Sequence, residues 1–259
     1  MRCLKQHIEG EKMDRSLYIA MNGAQQTMLA QAANANNLAN VNTTGFRADF
    51  EQFRSMPVFG EGLPSRVYSM LERPQTDYQT GSIQSTGRDL DISVQGEGFI
   101  AVQGKDGREG YTRAGDLHVT EAGQLVTGTG LAVMGEGGPI AIPPAQTVEI
   151  GSDGTISIRP IGEAANALAV LDRIKLVKPD LQQVFKDSDG LMRMQDGSEA
   201  PLDATVKVAS GTLEGSNVNA VGALVNMIEL QRQYEMQVKM MDTTQENSAA
   251  SARLMQMSN

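Results

Sequence analysis

The chain has 259 residues with no Trp, six Phe and five Tyr against 15 Met and 27 Gly, and a formal net charge of −9. That length holds one large domain or two modest ones. The acidic balance argues against a nucleic-acid ligand, whose phosphates call for a basic stripe, and a shortage of aromatics favours helices packed on small and flexible side chains. The one cysteine, Cys3, supplies neither a disulfide framework nor a thiolate metal cluster.

Met1 to Lys12 carries no pattern, whereas a helical period opens at Met13-Asp14-Arg15-Ser16-Leu17, so Met13 is read as the natural start and residues 1–12 as a disordered extension. No charged n-region leads into an apolar h-region and cleavage site. Nor does any apolar run reach the ~20 residues that span a bilayer. Leu17, Met21, Ala24, Met28, Gln31, Ala35 and Leu38 then follow a 4-3-4-3 spacing, the seam of a coiled coil interrupted only at Gln31. Asn40, Asn42 and Thr43-Thr44-Gly45 end this helix, because Asn and Gly tolerate left-handed backbone at a helix C-terminus. Residues 13–45 are thus the N-terminal half of a helical domain, and Thr43, Thr44, Gly45 and Phe46 turn the chain out of it.

Residues 46–80 read as an extended connector, since Pro57, Pro64 and Pro74 discourage helix. From 81 to 210 the pattern becomes period-two: Leu90–Val94, Phe99–Val102, Gln124–Val126, Thr155–Ile158, Ile174–Val177 and Thr205–Val208 are the clearest strands. Asp-Gly pairs at 106–107, 153–154, 189–190 and 196–197 supply tight turns. Short strands at this spacing predict an antiparallel sandwich or barrel. Residues 211–259 return into a second helix from about Asn219 to Met257, whose seam includes Leu224, Met227, Gln231, Tyr234, Val238 and Met241. The expected fold is α+β, with the two terminal helices as an antiparallel coiled-coil pair enclosing a mainly antiparallel β domain. Gln, Ser and Ala within the seams make a weak isolated zipper but suit a crowded bundle.

No catalytic constellation emerges. His118 stands in a strand-like run without a partner to make it a base or a ligand. Gly96-Glu97-Gly98-Phe99-Ile100-Ala101 fits a loose dinucleotide fingerprint, yet a β-like run follows where a phosphate-binding helix N-terminus is needed. Asp187-Ser188-Asp189-Gly190 opens like a calcium loop but lacks the third acid and the closing Glu, so a turn is the better reading. No catalytic, cofactor or metal residue is assigned, no cofactor is expected, and the chain is not read as an enzyme.

Three ordered stretches carry a resemblance. They are Asn36-Asn37-Leu38-Ala39-Asn40-Val41-Asn42-Thr43-Thr44-Gly45-Phe46; Gly87-Arg88-Asp89-Leu90-Asp91-Ile92-Ser93-Val94-Gln95-Gly96-Glu97-Gly98-Phe99, continuing to Tyr111-Thr112-Arg113-Ala114-Gly115; and Gly211-Thr212-Leu213-Glu214-Gly215-Ser216-Asn217-Val218-Asn219-Ala220-Val221. Together they resemble the flagellar rod, hook and axial protein family, and Met13–Met21, Gly135–Pro143 and Leu254–Ser258 resemble its proximal-rod branch. The resemblance implies a structural subunit of the basal-body rod that polymerises through its terminal helices, transmits torque and encloses an export channel. It implies as partners other rod proteins, copies of itself and the flagellar type III export apparatus, with no nucleic acid. It also implies a place in the periplasm-spanning rod, reached without a cleaved signal. The 13 seam residues named above would then be assembly contacts, with Thr43–Phe46 as hinge. The alternatives are a distal-rod subunit of the same family and, in a different class, a secreted β-domain binding module.

Overall fold

The computed structural model describes residues 15–50, 53–57, 67–71, 75–160, 162 and 168–257. The readings of residues 1–12 and of a start at Met13 fall outside them. The chain divides into two units, one holding the terminal helices and residues 50–74, the other residues 39–49 and 75–219.

In the first unit, α1 spans Arg15–Ala39 and α2 spans Ala220–Met257. Alanine, glutamine and leucine fill both, and no proline interrupts either. At 38 residues α2 is roughly 57 Å long, from ~1.5 Å per residue. Residues 53–57 and 67–71, inside the expected connector, pair as antiparallel strands.

The covered stripe of each helix overlaps the expected seam in part, at Ala24, Met227, Tyr234 and Met241, and elsewhere sits one residue before it. Ala20, Ala24, Thr27, Ala30 and Asn37 are buried on α1. On α2, Ala223 and Thr244 are buried, and Met227, Tyr234, Gln237 and Met241 are half-buried at the same 4-3 spacing. The large side chains of the predicted seam, Met21, Met28 and Leu224, remain exposed, as do Ala35 and Gln231. Size explains the choice: Ala, Gly and Thr let other groups approach the helix closely, where Met would hold them off. The Asn34 amide donates to the Ala223 carbonyl at 2.7 Å. The Gln237 amide lies so close over Gly23 that a Cβ there would come within 2.9 Å of it.

The second unit is built on an antiparallel sheet whose strand order is 184–186, 192–194, 109–112, 99–103, 132–135, 125–127 and 117–119. Residues 176–177 pair with the 99–103 strand, and 138–139 with the 132–135 strand. A three-stranded sheet (145–150, 155–160, 169–173) and two further pairs, 92–95 with 207–210 and 83–85 with 212–214, also belong to it. Alternation decides the packing. From the strand Phe99–Gln103, Ile100 and Val102 enter a core with Ile92, Val94, Leu117, Leu125, Val133, Ile156 and Leu176. Phe99 and Ala101 enter a second cluster with Tyr111, Val177, Val184 and Met192.

Each Asp-Gly pair places its glycine at positive φ: +81° at Gly107, +85° at Gly154, +84° at Gly190 and +73° at Gly197. Three of them close hairpins, through Gly104 N–H to Arg108 O, Gly151 N–H to Thr155 O and Asp187 N–H to Leu191 O. Strands start or stop up to two residues from their expected ends. The 92–95 strand begins after Leu90, because Asp91 N–H is already spent on a turn to Arg88 O.

Candidate functional site

In the β unit, the three motif stretches meet around one carboxylate. The chain leaves α1 through a turn in which Thr43 N–H donates to Asn40 O and Gly45 adopts φ +64°. Gly45 rests on the backbone of Arg113 and Ala114, where an added Cβ would fall 2.2 Å from the Arg113 carbonyl carbon. Its N–H donates to the Glu214 carbonyl at 2.8 Å, while the Thr44 hydroxyl donates to Asp116 Oδ1 at 3.0 Å. The turn glycine is therefore required twice, by its dihedral and by the missing side chain.

Two residues further on, Arg47 points inward. It, Arg113 and Glu214 are 3%, 4% and 1% exposed. Glu214 Oε1 lies 2.7 Å from Arg47 Nη2 and accepts from Gly81 N–H at 3.1 Å; Oε2 lies 3.0 Å from Arg113 Nη1. Arg113 also donates to the carbonyls of Val94 and Gly96 and stacks 5.4 Å from the Phe99 ring centroid. Arg47 donates to the Gln79 carbonyl. Burial pulls the Arg113 guanidinium below its ordinary range, and the Glu214 carboxylate pulls the other way.

Asn217, the same motif's amide, closes the junction. Its carbonyl oxygen accepts from Ala48 N–H at 2.7 Å, and its NH₂ donates to Asp77 O at 3.0 Å and Gln79 O at 3.1 Å. Lys186 Nζ sits 4.1 Å from the Phe46 ring centroid and bonds Asp49 Oδ2 and Arg47 O. The arrangement is a buried charged clasp in which Glu214 pairs with both guanidiniums, while Arg47 Nε and Arg113 Nε are buried without a hydrogen-bond partner.

The positions weighed for chemistry have other partners. His118 is exposed opposite Val126 on the neighbouring strand. Gly96 and Gly98, at φ +71° and +152°, lead into the strand 99–103, not into a helix. Where a calcium loop would hold its ion, the Arg193 guanidinium pairs with Asp187, Asp189 and Asp106. Among the described residues no group of three or more His, Cys, Asp or Glu is placed to hold a metal, and no helix is long and apolar enough to cross a membrane.

The assembly residues read from the sequence belong to the helical unit. Ala24 is buried; Leu17, Gln31, Leu38, Met227, Tyr234, Val238 and Met241 are half-buried; Met21, Met28, Ala35, Leu224 and Gln231 face outward. Thr43, Thr44, Gly45 and Phe46 are half-buried and bonded into the β unit. The clasp escaped sequence reasoning although its residues lie in or beside the quoted motifs. Arg113 and Glu214 are 101 positions apart, and no local spacing joins them.

Taken together, two long terminal helices and a β unit clasped by buried charges define an α+β protein. Comparison with known proteins narrows the class. Residues 17–47 match the flagella basal body rod protein family, residues 93–158 the flagellar hook protein FlgE/F/G D1 domain, and residues 209–254 the flagellar basal body rod FlgEFG protein C-terminal family. The chain is 42% identical over 252 residues to the flagellar basal-body rod protein FlgF of Escherichia coli (strain K12), covering 95% of this chain and 100% of that protein. The Salmonella typhimurium FlgF is 40% identical over the same shares. FlgG of Bacillus subtilis is 32% identical, over 90% of this chain and 96% of that protein. The chain belongs to the flagellar basal-body rod protein family, a family of structural proteins.

Proposed function

We propose that this chain is a polymerising subunit of the rod, most like its proximal part, that joins its neighbours through the two terminal helices. One observation carries the proposal: the fully buried apolar residues of both helices are small alanines, while many large apolar ones are left exposed. Tyr18, Met21, Met28 and Leu29 on α1, and Val221, Leu224, Val225, Ile228, Met236 and Met240 on α2, are all exposed. A solitary amphipathic helix is arranged the other way. Val221, Leu224, Val225 and Ile228 lie within about two turns of α2 and are 71%, 49%, 49% and 55% exposed. Covering them in a neighbour's groove would contribute about 1 kcal/mol apiece.

In this reading the helices form an antiparallel pair that neighbouring subunits complete. Support comes from two contacts running in opposite senses along the chain, Asn34 with Ala223 and Gly23 with Gln237. Residues 13–45 and 211–259 make the assembly contacts of a rod that encloses an export channel, with Gln31 and Gln231 fixing register. Residues 81–210 form the β domain, and residues 46–80 connect it to the helical one through the turn at Thr43–Phe46. The subunit passes through the flagellar type III apparatus without a cleaved signal, orders its helices on meeting other rod proteins or copies of itself, and transmits torque. It does no catalysis. The greater identity to FlgF than to FlgG favours the proximal over the distal rod, and the three rod and hook family matches weigh against a separate binding module.

The test is the double substitution Leu224→Asp/Ile228→Asp. Both side chains are exposed, so the circular dichroism of the purified chain stays as it was while rod assembly and motility are lost. Normal motility in that strain would refute the proposal.

A further inference from the structure

Residues 206–217 come last in the β unit, yet they close its middle. Val206 and Val208 are buried in the same core cluster as Ile92 and Val94. The strand 207–210 pairs with 92–95 and the strand 212–214 with 83–85, and among the described residues neither 83–85 nor 92–95 has another strand as partner. Val208 N–H donates to Ser152 O at 3.0 Å, Gly211 N–H to Asp91 O at 2.8 Å and Gly215 N–H to Ser82 O at 2.8 Å. We propose that this segment is a closing strap: the β unit holds no stable fold until residues 206–217 dock, so a chain that still lacks them stays open.

Buried charge supplies the barrier. Arg47 and Arg113 enter one dry space, and Glu214 is the carboxylate that pairs with both. Folding the earlier residues alone would bury these two guanidiniums with that carboxylate missing. Burial and the Arg47 charge both act against the charged form of Arg113, and Glu214 is the main group opposing them. Like charges shut away from water without their counterion oppose closure. The backbone adds to the effect. Without the strap, 83–85 and 92–95 present unpaired edges, and Ala48 N–H, Asp77 O and Gln79 O lose Asn217. Strands 99–103 and 109–112 are near neighbours in the sequence and can pair early. The core that Ile100 and Val102 share with Ile92 and Val94 is nevertheless not closed before Val206 and Val208 arrive. The strap thus makes the unit one cooperative body, and the residues synthesised last within it decide when it forms.

Native-state hydrogen exchange on the full chain, in urea below the unfolding transition, tests the strap. The amides compared are Val208, Gly211 and Gly215 within it and Leu125 and Ile140 elsewhere in the unit, each bonded to a backbone carbonyl. A single opening is expected, with protection at the two sets within about tenfold and the same dependence on urea. Val208→Ala, a mild change confined to the strap, should lower protection at both sets by the same factor. In pulse-labelled refolding of the unsubstituted chain, Leu125 and Ile140 should gain protection no earlier than Gly211 and Gly215. Three results would each overturn the proposal, because the unit would then fold first and receive the strap afterwards. They are strap amides exchanging more than about tenfold faster than Leu125 and Ile140, a Val208→Ala loss limited to the strap, and a refolding phase with Leu125 and Ile140 protected while Gly211 and Gly215 are open.

Discussion

Replacing Glu214 by Gln removes one negative charge from between two buried guanidiniums while keeping the side chain's shape. Glu214 is 1% exposed and faces Arg47 at 2.7 Å and Arg113 at 3.0 Å. Deleting one partner of such a buried set costs about 3–5 kcal/mol, because the charge left behind has neither water nor a counterion. Here two are left behind, so the upper end applies. Arg47→Met should cost less, about 1–3 kcal/mol, since Glu214 keeps Arg113 and the Gln79 carbonyl, which also loses its Arg47 donor, keeps the Asn217 amide. The chain has no Trp, so urea unfolding is followed by circular dichroism in the β region. Deuterium exchange at Gly81, whose N–H donates to Glu214 Oε1, and at Gly45, whose N–H donates to the Glu214 carbonyl, gives the local readout. Glu214→Gln should lower the urea midpoint most and accelerate exchange at both glycines. A loss under about 1 kcal/mol, the size of an exposed ion pair, with exchange at Gly45 and Gly81 unchanged, would refute the clasp as an energetic feature.

Two further outcomes follow from the β unit. Gly45→Ala meets both a φ of +64° and backbone 2.2 Å from the new Cβ. Left-handed strain and overpacking add to about 2–5 kcal/mol, read as a fall in the melting temperature of the unit containing residues 75–219. Tyr111 is 1% exposed, and burial, with the Glu109 carboxylate behind it, pushes its phenol up to about 12. The neutral phenol is therefore favoured in the folded state. Its contribution is complete below about pH 10, where the unfolded phenol begins to ionise, and fades as pH rises toward 12, a loss on the order of 2 kcal/mol. Tyr111→Phe should lose stability at neutral pH, because Ala200 N–H, now bonded to the phenol oxygen at 2.6 Å, goes unpaired. It should then show a flatter decline between pH 10 and 12 than the parent; equal slopes would disprove the assignment.

Both long helices were legible because their periodicity runs for many turns and their ends carry Asn, Gly and Ser signals. Which stripe is covered was not. Ala24, Met227, Tyr234 and Met241 of the predicted seam are covered, but at Met21 and Met28 the neighbouring Ala20 and Thr27 take the inward side, since close approach rewards small volume over apolar area. The β unit was legible in class through alternation and its Asp-Gly turns. Its strand order was not, because pairing such as residues 92–95 with 207–210 joins segments more than a hundred positions apart. No local spacing singles out Arg47, Arg113 and Glu214 in a sequence with 22 basic and 31 acidic side chains. Only folding reveals that these three are dry.

The clasp has a mechanical consequence. The chain passes between its two units near residues 38, 49, 74 and 219. Asn217 bonds Ala48 on one side and the carbonyls of Asp77 and Gln79 on the other, while Glu214 grips Arg47 and Gly81. Three of those four passages are therefore cross-tied within a few residues of where they enter the β unit. A pull arriving along any one of them is divided among the others before it reaches the sheet. Turning force passed from the helices would meet a knot of parallel ties, which must break together, in place of single threads that could be peeled away in succession.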